Sequence, residues 1–352
     1  MKTKYILLMA IAAAMLSCSK SAQPSEDENA WVHDENLRVP IQFATSALNT
    51  KAINYGPISG SIMNSLDVGV ISVAEKESDG TAIEWSEALD GSILIDNLSV
   101  TTSASGAIVF SPKLYYPFGN QYAYSFYSYY PYSNTQGQTA AVEDGAYRIT
   151  YSLGNTDILW AQSQATEYEG VMGYNAAYCR AVKLGAAENE YYPKLQYKHL
   201  LTALVFRIVG KDADIADYDV KVVGMQLINT SSEATLCIAD SKGTESGVLK
   251  GNEDGGSIGF TDLDVAPATE SKDLCTILAM PAANYTAAIT LTVDGANQST
   301  VQIPVGNEET AYNAGYIYYF TVTINNPQEI TIIETGLDEW IPGENPNDGK
   351  EI

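Results

Sequence analysis

The chain of 352 residues carries 43 acidic against 19 basic side chains, a formal net charge of −24. A surface of that sign repels nucleic acid and anionic membranes, which excludes both as partners. The length suffices for two ordinary domains, and a hydrophobic fraction of 45% belongs to a globular chain rather than a disordered one.

The chain opens with MKTKYILLMAIAAAMLSC, in which Lys2 and Lys4 form a basic head before an apolar run over residues 5–16. That run is too short to span a bilayer and reads as a cleaved export signal, residues 1–17. The small Ser17 followed at once by Cys18 resembles the lipobox of bacterial lipoproteins, with Met15 in place of the usual Leu. The resemblance implies acylation of Cys18 and an outer-membrane location. Register favours this over an ordinary signal with an incidental cysteine. So does the polar stretch that follows, which includes Glu26, Asp27 and Glu28 and cannot bury enough apolar surface to order itself. Residues 18–38 are therefore expected to form a lipidated, flexible tether.

Beyond the tether, helical periodicity is nearly absent. Short runs rich in Val, Ile, Thr, Tyr and Phe, punctuated by Gly, Asn, Asp, Ser and Pro, predict an all-β protein. In chain order the runs cover residues 39–44, 68–73, 92–100, 107–110, 122–130 and 158–161, then 200–209, 220–229, 234–239, 274–279, 287–293, 301–305, 316–324 and 329–334. In ITLTV (residues 289–293) apolar and threonine positions alternate as a half-buried strand requires, and Asp294-Gly295 supplies a tight turn. A mixed stretch over residues 182–197 suggests a division into two consecutive β-sandwiches, 39–190 and 191–341, followed by a polar tail, 342–352. Helix is expected only in short pieces, around residues 213–218 or 61–66.

Three segments resemble the fimbrillin family of Bacteroidetes, subunits of type V pili and related surface lipoproteins. They are YAYSFYSYYPY (residues 122–132), YKHLLTALVF (197–206) and YNAGYIYYFTVTI (312–324), the last followed by a strand candidate ending at Trp340. With the lipobox they span essentially the whole chain in the family's order. The resemblance implies two transthyretin-like Greek-key β-sandwiches and a fimbrial or accessory role in adhesion, with other fimbrillin-like subunits as partners. It also implies protease-triggered exchange of β-strands: a first strand leaves, and a neighbour's strand fills the vacated slot. Val39, Ile41 and Phe43 point one way on the candidate displaced strand. Lys51 and Arg38 are the trypsin-like sites in this region, and Lys51 is favoured because a cut there frees the whole strand. The tail after Trp340 has two prolines and two glycines, a poor donor, so Ile330, Ile332 and Ile333 mark the better donor candidate. The alternative is a monomeric surface lipoprotein holding a glycan or host protein, with Tyr127 and Tyr129 as candidate binding aromatics.

Catalytic chemistry finds little support, and the chain is read as a non-enzyme without cofactor or metal. Its two histidines are His33 and His199, and no G-x-S-x-G elbow is present. The acidic run at residues 212–219 lacks a calcium loop's sixth-position glycine, where Asp217 stands, and has Val223 where a bidentate Glu belongs. Cys179, Cys237 and Cys275 read as buried thiols, and spacing alone leaves open a bridge between Cys237 and Cys275.

Overall fold

The structure, a computed structural model, describes residues 29–43, 66–77, 83, 92–103, 107–132, 140–164, 167–168, 170–185, 192–212, 215, 218–253, 255–295, 297–305 and 311–339. It is all-β apart from short helical pieces. Strands β1 (Asp67–Glu77), β2 (Ile93–Thr101), β3 (Tyr122–Tyr130), β6 (Leu159–Ser163) and β9 (Lys198–His199) pair antiparallel in the order β2-β1-β3-β6-β9. A second sheet, β13-β12-β5-β4, packs on it. Its strands are β4 (Ala141–Glu143), β5 (Ala146–Ser152), β12 (Glu233–Asp240) and β13 (Val248–Gly251). The indole of Trp160 on β6 crosses the interface and donates to the Ile238 carbonyl at 2.8 Å. A two-residue hairpin, β7 (Glu167–Tyr168) with β8 (Val171–Met172), precedes helix α1 (Ala176–Gly185).

Two further four-stranded sheets enclose a second core. One runs β15-β10-β18-β19, from β15 (Lys272–Ala279), β10 (Thr202–Gly210), β18 (Tyr316–Asn326) and β19 (Glu329–Glu339). The other runs β14-β11-β16-β17, from β14 (Gly256–Phe260), β11 (Lys221–Thr230), β16 (Tyr285–Val293) and β17 (Asn297–Val305). Because side chains alternate along a strand, β10 serves both cores. Leu204, Phe206 and Ile208 enter the second, while Ala203 and Val205 belong to the first.

The structure corrects the expected cut between residues 190 and 191. Strand β12, far into the second half, pairs with β5 from Glu233↔Ser152 to Asp240↔Ala146, and its Leu236 and Ile238 pack in the first core. Without this hairpin the edge of β5 would present unpaired N–H and C=O groups. Helix α1 stands where the sequence suggested the start of a linker. Asn175 caps it by accepting from the Tyr178 amide at 2.8 Å, and Ala176, Cys179 and Val182 at helical spacing face inward. Of the helices expected from sequence, residues 61–65 and most of 213–218 lie outside the described residues. Residues 107–110 are not a strand, yet Ile108 and Phe110 are buried in the first core. Cys179, Cys237 and Cys275 are all free and buried, with Cys237 on β12 and Cys275 in the second core. No bridge joins them.

Candidate functional site

The region most able to act is the N-terminal stretch of residues 29–43 together with the surface that it covers. Part of what reads as flexible tether is in fact docked, which corrects that expectation for residues 29–38. A short 3-10 turn, Ala30–Val32, buries Trp31 and Val32 in the first core. Two large apolar side chains in a polar context are the sequence signal for this docking, because burial of each stabilises by about 1.5–3 kcal/mol. The chain then turns at Asp34, whose Oδ1 accepts from the Asn36 amide at 2.9 Å, and Arg38 lies over the Phe118 ring at 5.8 Å.

From residue 39 the backbone is extended. Val39 and Ile41 are buried and Phe43 is half-buried against the same core. The Phe43 ring meets Phe126 edge-on at 5.3 Å and Phe110 at 5.8 Å. All three side chains point inward, as their alternation predicts. What the segment lacks is a full ladder. Ile41 N–H donates to the Leu114 carbonyl at 2.8 Å, and Tyr116 N–H donates to the Val39 carbonyl at 2.9 Å around the Pro40↔Tyr115 bridge. Pro40 and Tyr115 form a non-hydrogen-bonded pair, so the N–H that Pro40 lacks would face away from residues 114–116. The segment thus has apolar anchoring with few backbone bonds, and it is a bridge rather than a strand. Residues 44–51, with Lys51, lie outside the described residues, as does Cys18.

The covered face belongs to β3, the middle strand of its sheet, and this overturns Tyr127 and Tyr129 as binding aromatics. Both are 0% exposed. Tyr124 and Phe126 face Tyr116, Tyr174 and Phe43, whereas Tyr127 packs on Trp160 and Tyr129 on Tyr132, on the side of the second sheet. A sheet covered on both faces reads as continuous apolar residues, so alternation in β3 carried no information about exposure. Near the docked segment the exposed aromatics are instead Phe118 at 59% and Tyr115 at 40%, and Phe118 lines a shallow hollow with Gln121 and Tyr122.

The donor candidates divide. On β19, Ile330 is buried and Ile332 packs partly against the second core, but Ile333 is 60% exposed and points outward. The strand completes its own sheet, paired with β18 from Tyr316↔Glu339 to Asn326↔Glu329. Its other edge faces away from β18, and Leu337, paired with Tyr318, is exposed.

His199, on β9, lies wholly buried with its Nδ1 2.7 Å from Asp157 Oδ2, the carboxylate equally buried. The pair ties β9 to the start of β6, where Leu200 N–H also reaches the Ile158 carbonyl at 3.0 Å. Buried on both sides and joining two neighbouring strands, the pair has the geometry of a structural pin. Among the described residues no cluster of three His, Cys, Asp or Glu could hold a metal ion. No helix among them is long and apolar enough to cross a membrane. The residues that sequence reasoning passed over are Trp31, Phe118 and, on α1, Arg180 and Lys183. The last two grip the docked segment.

A family model described as Fimbrillin-like matches residues 59–340. A search of curated proteins returns no match. Among solved structures, a candidate cell adhesion protein from Bacteroides uniformis is similar over 87% of this chain and 100% of its own, at 17% identity and a TM-score of 0.52. A fimbrial protein from Bacteroides vulgatus aligns over 78% of this chain and 92% of its own, at 13% identity and a TM-score of 0.45. The first likeness places the two sandwiches in a known fold. Because the family model covers most of the sequence and every described strand, the chain belongs to the fimbrillin-like family.

Proposed function

We propose that this chain is a surface-exposed fimbrial or adhesion-related subunit, exported and held to the outer membrane by lipid on Cys18, whose role is structural rather than catalytic. Its working part is the groove under residues 39–43. A protease hydrolyses the bond after Lys51, water adding hydroxyl to the Lys51 carbonyl and hydrogen to the Ala52 nitrogen. The freed N-terminal piece leaves, and an extended strand from another subunit takes its place, satisfying backbone groups and filling the pockets of Val39, Ile41 and Phe43.

One observation carries this reading. Residues 39–43 place two fully buried side chains and the half-buried Phe43 in the core, yet hold only two backbone hydrogen bonds to residues 114–116. A replacement strand that pairs along more of its length would add to that ladder, so exchange has a direction. Arg38 is the weaker cleavage site. The carbonyl before it accepts from Arg180, and the residue after it is buried. A protease must draw an extended stretch of chain into its cleft, and this stretch is occupied. β19 completes its own sheet, so donation from it requires that sheet to open.

Limited trypsin treatment of the purified precursor tests the proposal. It expects a new N-terminus at Ala52 and a ladder of oligomers that resist SDS. Cleavage at Val39 with the protein still monomeric, or cleavage at Ala52 with no oligomers at any concentration, refutes it. The second reading, a monomeric binder of glycan or host protein, draws on Phe118 and Tyr115 rather than the buried tyrosines of β3. Trypsin-resistant monomer that loses glycan-array signal on Phe118→Ala would favour it.

A further inference from the structure

We infer that helix α1 is a clasp, with Arg180 gripping the N-terminal segment by its backbone and setting how fast that segment departs. Arg180 reaches across the fold to residues almost 150 positions away in sequence. Its Nε donates to the Trp31 carbonyl at 2.9 Å, and its Nη2 to the carbonyls of Leu37 at 2.5 Å and Glu35 at 3.4 Å. No carboxylate pairs with Arg180 among the described residues. Nε and Nη2 are thus both spent on main-chain oxygens, and hydrogen bonds from a charged donor are stronger than neutral ones.

One helical turn on, Lys183 completes the grip. Its Nζ stands 5.0 Å from the Trp31 ring centroid and 2.5 Å from Asn29 Oδ1. Trp31 therefore sits with its ring under one cation and its carbonyl on another, while Trp31 and Val32 fill the core beneath. The helix is itself fixed. Asn175 caps it and donates its side-chain amide to the Tyr122 carbonyl at 3.1 Å, so the clasp is mounted on the first residue of β3.

This geometry separates two events. Cutting the chain beyond residue 43 removes the covalent link to the body but leaves every clasp contact in place, because all of them lie upstream of the cut. Residues 29–43 then remain as a non-covalent plug until α1 lets go. Premature opening is suppressed in the same way. The inference rests on the proposed removal of this segment for its biological meaning, but the clasp itself can be measured in the intact chain.

Amide hydrogen exchange on the full uncut protein is the first arm. Arg180→Gln should raise exchange over residues 29–43 by about tenfold or more while β10 and β18 stay unchanged. Arg180→Lys keeps the charge without the fork and should fall between the two. Trp31→Ala, which leaves α1 untouched, should reproduce the local acceleration. The second arm cuts at Lys51 and follows co-elution of the N-terminal fragment with the body. Retention by the parent and release about tenfold faster from Arg180→Gln are expected. Equal exchange in parent, Arg180→Gln and Trp31→Ala overturns the clasp, and so does equal fragment release. If Lys51 is never cut, the processing proposal fails alone and the exchange comparison still decides. Should Arg180→Gln unfold, Trp31→Ala carries the test, and unchanged exchange there overturns the clasp.

Discussion

Replacing Gly69 by alanine should expose how tightly β3 is locked, and with it the standing of Tyr129. Gly69 pairs directly with Tyr129 across β1 and β3, and the tyrosine ring lies over the glycine. A Cβ at position 69 would stand 2.1 Å from Cε1, 2.3 Å from Cζ and 2.7 Å from the hydroxyl oxygen of that ring. Carbon atoms are comfortable at about 3.5–4.0 Å, so the ring must retreat by more than an ångström. It has nowhere to go. Tyr129 is 0% exposed, its hydroxyl donates to Asn97 Oδ1 at 2.6 Å, and Tyr132 stacks beside it. Overpacking of this kind costs about 1–3 kcal/mol, and a broken hydrogen bond adds about 0.5–1.5, so Gly69→Ala should destabilise by about 2–4 kcal/mol. Tyr129→Ala costs about 3–5 kcal/mol through the cavity it leaves. The two changes should not add, because with the ring gone the methyl group has room. Urea unfolding of the four proteins in the cycle, followed by tryptophan fluorescence and circular dichroism, measures the coupling. A Gly69→Ala penalty under about 0.5 kcal/mol, or an equal penalty in the Tyr129→Ala background, would refute the packing and return Tyr129 to the surface.

Two other outcomes follow from buried polar groups. Asp157→Ala strips the partner from His199 inside the protein and should cost about 3–5 kcal/mol, as for other broken buried pairs; thermal unfolding unchanged from the parent would remove the pin from the account. Burial pushes the Tyr124 and Tyr130 hydroxyls up to about 12 from an ordinary 10.0, and those of Tyr129, Tyr147 and Tyr197 higher still. The folded protein keeps these protons where the unfolded chain would release them, so this contribution is intact below pH 10 and declines as pH rises through the folded values. Each group removes about 1.4 kcal/mol per pH unit in that window. Tyrosinate absorbance should therefore rise together with loss of circular dichroism in one cooperative alkaline step, and smooth titration of every tyrosine near pH 10 with the fold intact would contradict the burial.

Much of the fold was legible in local pattern. Alternation in residues 289–293 and the turn after it became β16 and its hairpin to β17, because a period of two and an Asp-Gly turn are properties of adjacent residues. The inward set of Val39, Ile41 and Phe43 was equally plain, since one-sided burial needs only every second residue. Local pattern fell silent where several elements compete for one side chain. Tyr127 and Tyr129 alternate with Tyr124 and Phe126 on a strand that is covered on both faces, and only the neighbouring layers decide that neither face meets water. The exchange of β12 into the first sandwich depends on an open edge at β5, some 80 residues earlier, which no window of sequence contains. Arg180 reads in sequence as one more surface cation. The chain by itself determined its strands, its charge and the inward stripe near its start. Tertiary structure decided which strand meets which edge, and that an arginine on α1 holds that stripe in place, because both are contacts between residues that only folding brings together.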